Sequence, residues 1–212
     1  MKNEIIYRNI KRRDYHELAK IISDTWEYDK FCSPKTAHRM GYLYLANCLC
    51  EQNYVEIAVK NDIPVGVIMG RIKRYRNKKA KLKFRYMRMK IVSILAMTEE
   101  GRKIMEAFDD FDDTDEELLQ KSGKDFDAEI SFFAVNRRQR GYGIGSTLYN
   151  HLIDAFDDEN VNSFYIFTDT ACDYEFYEKR GAVRIGEYKK DLSMCGYKDF
   201  TQFLYVNDIY AK

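Results

Sequence analysis

Residues 140–146 read Arg-Gly-Tyr-Gly-Ile-Gly-Ser and separate an apolar run, residues 130–135, from an amphipathic segment. That segment repeats apolar residues at helical spacing, at Ile144, Leu148, Leu152 and Phe156. The order is therefore a strand, a glycine-rich turn and a helix. Glycines let the backbone turn tightly and let a ligand approach, and the first amides of a helix have no partner within it. With the helix dipole these amides favour a phosphate, so the stretch predicts a site for a cofactor that carries a pyrophosphate.

The spacing of the glycines distinguishes this turn from two other phosphate-binding loops. No Lys-Ser or Lys-Thr follows them, and they stand as Gly-x-Gly-x-Gly rather than Gly-x-Gly-x-x-Gly. The stretch instead resembles the Arg/Gln-x-x-Gly-x-Gly/Ala motif of the GNAT superfamily of N-acetyltransferases, in which the loop holds the pyrophosphate of acetyl-CoA. The resemblance implies acetyl-CoA as the acetyl donor, no metal, and a cofactor loop made of Arg140, Gly141, Tyr142, Gly143, Ile144, Gly145 and Ser146.

A second motif lies downstream. Residues 176–182 read Phe-Tyr-Glu-Lys-Arg-Gly-Ala and resemble the family's Phe-Tyr-Glu-Lys-x-Gly-Phe signature. The resemblance implies that Tyr177 protonates the departing thiolate of coenzyme A, and a phenol with a pKa near 10 keeps its proton at about pH 7. The chain departs from the family's pattern at Thr170, where an asparagine is frequent, and at Ala182, where an aromatic residue is usual. Both departures leave details of the cofactor contacts open.

A third motif lies upstream, where residues 128–135 resemble the fourth strand of the histone-modifying branch of the family. The resemblance implies that Glu129 is the general base. It also implies that the fourth strand splays from the next one, so that the pantetheine arm of the cofactor pairs with the free backbone of Phe133, Ala134 and Val135.

The residues themselves leave other assignments open at this strand. A fully paired central strand would have no free edge for a cofactor. Strict alternation places Glu129 on the same strand face as Phe133, about 13 Å away, so proton transfer would need a water relay. Glu129 is equally consistent with an exposed or salt-bridged acid at the end of a strand, and Asp169 is a rival base.

The resemblance implies an α/β (α+β) fold with a central mixed, mostly antiparallel sheet of about six to seven strands, flanked by helices. The hydrophobic pattern along the chain agrees with this fold. It predicts strands at about residues 4–10, 54–60, 65–72, 130–135, 161–167, 183–192 and 200–210. It predicts helices at about residues 14–28, with Asp14 as the cap, after Pro34, and at about residues 144–157 and 172–180.

Composition limits the protein class. The 212 residues, 45% of them apolar and 15% aromatic, predict a single domain spanning residues 1–212. A net charge of +1 gives no overall field that would recruit nucleic acid. The five cysteines have no paired spacing and the three histidines are dispersed, which predicts reduced thiols, a cytoplasmic location and no metal site. No signal peptide is evident, and no apolar run approaches the roughly 18 residues of a membrane span.

A charged insertion is predicted at about residues 75–125, between the third and fourth strands. Residues 71–90 hold eleven Lys or Arg and no acid, whereas residues 99–117 hold ten acids and two bases. Thr98 and Thr114 begin capping patterns, which indicate that the insertion is helical. Three interpretations stay open: solvated or self-paired faces worth about 0–1 kcal/mol for each surface pair, a wall of the acceptor site, or a contact with RNA.

The leading functional hypothesis is an acetyl-CoA-dependent N-acetyltransferase. The acceptor would be a primary amine of a small molecule or a peptide, and it would attack the thioester directly. An acidic patch at about residues 109–113, if it lies near the cleft, would favour a cationic amine. The alternative is a non-catalytic sensor or interaction module that binds acyl-CoA with the same fold. Neither a membrane nor a nucleic acid is expected as a partner, and relatives suggest a homodimer.

Overall fold

The computed structural model describes residues 4–75, 81–192 and 197–208, excluding the side chains of residues 110, 191, 192, 197 and 198. Part of the predicted insertion, residues 76–80, and the predicted end of the last strand, residues 209–210, lie outside the described residues. The strands are β1 (Ile5–Asn9), β2 (Tyr54–Lys60), β3 (Ile63–Ile72), β4 (Ala128–Val135), β5 (Ser163–Asp169), β6 (Val183–Leu192) and β7 (Tyr197–Asp208). The helices are α1 (Tyr15–Thr25), α2 (Pro34–Glu51), α3 (Leu82–Ala96), α4 (Glu99–Ser122), α5 (Ile144–Asp158) and α6 (Glu175–Glu178).

The seven described strands form one sheet in the order β1-β2-β3-β4-β5-β7-β6. Every pair of neighbours is antiparallel except β4 and β5, which run parallel. The parallel pair arises because α5 crosses over between the two strands, as parallel strands require. The predicted fold class, a mixed and mostly antiparallel sheet flanked by helices, is confirmed.

Helices cover both faces of the sheet. On one face, α1 and α2 pack through Leu18, Ile22 and Leu45 onto the sheet. On the other face, α5 buries the apolar stripe predicted for it, Ile144, Leu148, Leu152 and Phe156. No helix among the described residues is long and apolar enough to cross a membrane.

A β-bulge interrupts β4 and decides which way its side chains face. Phe132 pairs with Met69 and Ile130 pairs with Gly70, so Ser131 has no opposite residue on β3. One extra residue reverses the alternation of faces along the strand. Ile130 therefore packs on the α5 side before the bulge, whereas Phe132 packs on the α1 and α2 side after it.

The bulge corrects one prediction. Strict alternation placed Glu129 and Phe133 on the same face of the strand. Phe133 packs against the cluster on the α5 side, whereas Glu129 contacts Arg71 and Tyr165 on the opposite face of the sheet. The prediction was wrong because the extra residue lies between them.

The segment between β3 and β4 folds into α3 and α4. Thr98 caps α4, since its hydroxyl accepts a hydrogen bond from the backbone N–H of Gly101 at 3.0 Å. The second predicted helix start, at Thr114, is wrong. Thr114 is buried in the middle of α4. The helix continues past it because Leu118, one turn later, is buried on the same face. That residues 1–212 form one domain with an insertion remains a prediction.

Candidate active site

A gap opens between β4 and β5 in the middle of the sheet. The two strands pair at only three positions: Ala128 with Phe164, Glu129 with Tyr165, and Ile130 with Ile166. Beyond Ile130, β4 stays paired with β3 as far as Val135, and no described strand pairs with its other side. A strand edge of this kind presents unpaired N–H and C=O groups to a ligand.

The hydrogen-bond pattern shows which backbone groups face the gap. The N–H of Asn136 donates to the carbonyl of Val65 at 2.8 Å, on the β3 side. Because alternate residues of an antiparallel strand bond to the same neighbour, Ala134 also faces β3, and Phe133 and Val135 face the gap. Arg140 Nε donates to the Val135 carbonyl at 3.3 Å, so the N–H and C=O of Phe133 and the N–H of Val135 remain for a ligand.

Of the three residues predicted to pair with the pantetheine arm, two therefore present backbone groups to the gap. Ala134 does not, because its backbone groups face β3 and its side chain is buried on the α1 and α2 side. The sequence motif cannot separate these three residues, since the register of β4 against β3 decides which backbone groups face the gap.

The glycine-rich loop lies at the end of this free edge. Gly143 has a φ of 78° and occupies the cap position of α5, where a side chain would be strained. A Cβ atom on Gly145 would approach Phe133 Cζ to 3.3 Å, so this glycine lets the helix lie close to β4. The first N–H groups of α5 have no partners within the helix, which makes this end of the cleft suitable for a pyrophosphate.

The side chains around the loop differ in their roles. Ser146 Oγ accepts a hydrogen bond from Arg180 Nη2 at 2.8 Å, and the Arg180 guanidinium lies 3.5 Å from the centre of the Phe176 ring. Sequence analysis did not single out Arg180, which occupies the variable position of the second motif. Tyr142 is 76% exposed, and Lys60 Nζ lies 5.7 Å from its ring centre, so only its backbone is placed for a cofactor.

Tyr177 projects from α6 into the aromatic wall of the gap. Its ring centre lies 6.5 Å from that of Phe133 and 6.5 Å from that of Tyr149. Burial raises the pKa of Tyr177 above its ordinary value, and the neighbouring Cys172 and Tyr149 act in the same direction. The phenol therefore holds its proton at neutral pH, in the state that a proton donor needs.

Glu129 is ion-paired. Arg71 Nη2 lies 2.5 Å from Glu129 Oε2, and the hydroxyl of Tyr165 donates to the same oxygen at 2.9 Å. Arg71 also pairs with Glu51 at 2.5 Å. Because Glu129 and Tyr165 belong to the last positions at which β4 and β5 pair, the carboxylate lies where the gap begins.

Two neighbouring groups are less suited to catalysis. Asp169, the rival base, is 3% exposed, and its Oδ1 accepts a hydrogen bond from the N–H of Ala171 at 2.7 Å, so it stabilises the turn after β5. Burial, reinforced by the charge of Asp169, raises the pKa of the Cys172 thiol to about 12. A thiol in that state is not a nucleophile at neutral pH.

One cleft of about 2150 Å³ brings these residues together. Its lining includes every predicted site residue except Tyr142: Glu129, Phe133, Ala134, Val135, Arg140, Gly141, Gly143, Ile144, Gly145, Ser146 and Tyr177. Residues of α3 and α4 form the far side of the cleft, Asp109 and Asp112 among them. The acidic segment thus lies beside the cleft, and α4 forms one of its walls.

The carboxylates on this wall are perturbed. Partial burial in the wall, and then the charges of Asp109, Asp113 and Glu116, raise the pKa of Asp112 to about 6. Burial raises the pKa of Asp115 to about 8. The charges of Asp112, Asp169 and Glu129 add to this shift, and a hydrogen bond from Gln202 opposes it.

Comparisons with known proteins agree with this geometry. Residues 104–182, which include β4, the loop and α6, match the sequence profile of the acetyltransferase (GNAT) family. No curated protein sequence matches the chain.

Three solved structures are similar over nearly the whole chain. A protein from Pyrococcus horikoshii OT3 has a TM-score of 0.60 at 15% identity, over 97% of this chain and 99% of that one. Ard1 from Thermoplasma volcanium has a TM-score of 0.57 at 14% identity, over 96% and 97%. An aminoglycoside 6′-N-acetyltransferase complexed with coenzyme A has a TM-score of 0.54 at 14% identity, over 98% of both chains.

At these identities the structural likeness concerns the fold, whereas the profile match concerns the sequence of the cleft itself. The two agree on the strand, the loop and the helix that surround the gap. The chain has the GNAT fold, and its residues 104–182 match the GNAT family in sequence.

Proposed function

We propose that this protein is an N-acetyltransferase that moves the acetyl group of acetyl-CoA onto a primary amine by direct attack on the thioester. The observation that carries the proposal is the gap between β4 and β5. It has a free backbone edge at Phe133, the glycine-rich loop at one end and the Tyr177 phenol in its wall.

The cleft suits acetyl-CoA along its length. The N–H groups of residues 141–145, supported by Arg140, would bind the pyrophosphate. The pantetheine amides would pair with the gap-facing groups of Phe133 and Val135, as an added strand pairs with a sheet edge. The acetyl carbonyl would then lie where an N–H of β4 polarises it, and such fixed donors supply much of the rate in acyl transfer.

The chemistry balances with the residues present. A neutral amine nitrogen attacks the thioester carbon, the C–S bond breaks, and the sulfur leaves as a thiolate. Tyr177 donates its proton to this sulfur, and the nitrogen loses a proton to a base. We propose Glu129 as that base, acting through water, because it lies where the gap begins.

Thiol release from acetyl-CoA, measured across a panel of amines with the intact protein, tests the proposal. We expect turnover with one class of primary amine, together with an acetylated product. Tight binding of coenzyme A without turnover on any amine would overturn the catalytic proposal in favour of the acyl-CoA sensor. Absence of coenzyme A binding would overturn both.

A further inference from the structure

The cleft contains unpartnered polar groups. Among the described residues, six buried side-chain polar atoms have no hydrogen-bond partner, and all six belong to residues that line the cleft. They are Trp26 Nε1, Asn47 Oδ1, Gln52 Oε1, Arg71 Nε, Ser131 Oγ and Gln202 Oε1. Buried polar groups are nearly always paired, so this concentration points to a ligand. Three of the six are amide oxygens, which need a ligand with hydrogen-bond donors.

Gln202 fixes the position of one such oxygen. Its side chain is 4% exposed, on β7, and its Nε2 donates to Asp115 Oδ1 at 2.8 Å and to the Phe111 carbonyl at 3.2 Å. Both neighbours offer acceptors, so the amide cannot be reversed without setting oxygen against oxygen. Gln202 Oε1 is therefore held beside the Asp115 carboxylate with no donor of its own.

Carboxyl groups crowd around this oxygen. Asp112 and Glu116 lie on α4 near Asp115, and Glu129 and Asp169 act on Asp115 from β4 and β5. Arg71, which is paired with Glu51 and Glu129, and Lys190, whose Nζ lies 4.2 Å from the Phe111 ring centre, are cations near these carboxyl groups. Lys83, Arg85 and Arg88 of α3 also line the cleft. The raised pKa values of Asp112 and Asp115 are the expected result of crowded, partly desolvated carboxylates.

Aromatic rings complete the same wall. Phe108 stacks on Phe111 with ring centres 5.5 Å apart, and Phe200 meets Phe111 edge-on at 5.6 Å. Rings beside carboxylates suit an alkyl chain that ends in an ammonium group, because the rings contact the chain and attract the cation.

We propose that Asp112, Asp115 and Gln202 form an ammonium subsite, so that the acceptor carries a second cationic group besides the amine that reacts. An aliphatic diamine or polyamine has this chemistry. The inference rests on the proposed N-acetyltransferase activity: one amine reaches the thioester in its neutral form, while the other stays charged and donates to Asp115 and to Gln202 Oε1.

A binding titration tests the subsite without requiring turnover. The chain has a single tryptophan, Trp26, and it lines the cleft, so its fluorescence reports binding there. The probes are putrescine and butylamine, which share a four-carbon chain but differ by one ammonium group. We expect putrescine to bind at least about tenfold more tightly than butylamine, a difference of about 1.4 kcal/mol.

Variants that replace a carboxylate by an amide show which carboxyl groups bind the ammonium group. Asp115→Asn and Asp112→Asn should each weaken putrescine binding about tenfold. Asp113→Asn is the matched control, because Asp113 is exposed on the same helix and outside the cleft lining. Equal affinity for the two probes, or unchanged putrescine binding in both cleft variants, would overturn the subsite.

Coenzyme A binding and thiol release, measured on the same proteins, separate the two proposals. Acetylation of butylamine as efficient as that of putrescine would overturn the subsite and leave the N-acetyltransferase activity standing. Putrescine binding that depends on Asp115, in a protein that binds no coenzyme A, would support the subsite and overturn the proposed activity.

Discussion

The rings of Phe133 and Tyr177 lie with their centres 6.5 Å apart, one on β4 and the other on α6. The backbone of Phe133 faces the gap between β4 and β5, and Tyr177 lines the same cleft. A carbonyl that pairs with the strand edge at Phe133 therefore has the Tyr177 phenol nearby, which is the arrangement that acetyl transfer with proton donation to sulfur requires.

The loop should govern cofactor affinity. Replacing Gly143 with alanine places a side chain at a φ of 78°, which costs about 1–2 kcal/mol and disturbs the first amides of α5. We expect acetyl-CoA affinity, measured by calorimetry, to fall about tenfold. Gly123→Ala is the matched control, since Gly123 has a φ of 62° and equally open surroundings but ends α4. Equal affinity in both variants would contradict the role of the loop.

Glu129 should govern the removal of the proton from the acceptor amine. Glu129→Gln is expected to lower kcat/KM by about 10²-fold or more. Glu51→Gln is the control, because it breaks the other ion pair of Arg71. If both variants lose activity to the same small extent, Glu129 only orients Arg71.

Asp115 should lower the stability of the folded protein at alkaline pH. The pKa of Asp115 is about 8 in the folded chain, whereas its ordinary value is 3.8. Between these two pH values the folded state therefore binds more protons than the unfolded state. The contribution of Asp115 to the free energy of unfolding is therefore fully present below about pH 4 and is lost as the pH rises through about 8. The facing charges are Asp112, Glu129 and Asp169.

Asp115→Asn removes this loss. Near pH 8.5 we expect the Tm of this variant to exceed that of the wild type by about 2–4 °C, which corresponds to about 1 kcal/mol. Near pH 4 we expect the two Tm values to be equal. Thermal denaturation followed by circular dichroism measures both. The exposed control Asp113→Asn should show no such gain, and a gain of equal size in that control would mean that net charge rather than the cleft is responsible.

Local patterns predicted much of the fold. The alternation at Tyr54–Lys60 predicted the bounds of β2, and the apolar stripe from Ile144 to Phe156 predicted α5. Local sequence patterns gave wrong predictions where a contact with a residue distant in sequence determines the structure. Asp14 begins α1 without capping it, since Arg8 and the Lys11 N–H take its carboxylate, and Thr114 matches a cap but is buried inside α4.

The candidate site likewise has parts that the sequence predicted and parts that it could not predict. The loop and the segment around Tyr177 are short motifs, so the sequence predicted their place. The bulge at Ser131 depends on the register with β3, and the pairing of Glu129 with Arg71 depends on neighbouring strands. The hydrogen bond from Gln202 to Asp115 joins β7 to α4, and no local pattern marks it.

Acetyl transfer in this cleft should depend on Tyr177 as the proton donor. Thiol release from acetyl-CoA, with the best amine of the panel, should be compared in the wild type, Tyr177→Phe and Tyr174→Phe. Tyr174 is the matched control, because it lies on the same turn but packs against Phe203 outside the cleft lining. We expect kcat to fall about 10²-fold in Tyr177→Phe alone, with acetyl-CoA affinity retained. Wild-type turnover in Tyr177→Phe would contradict it.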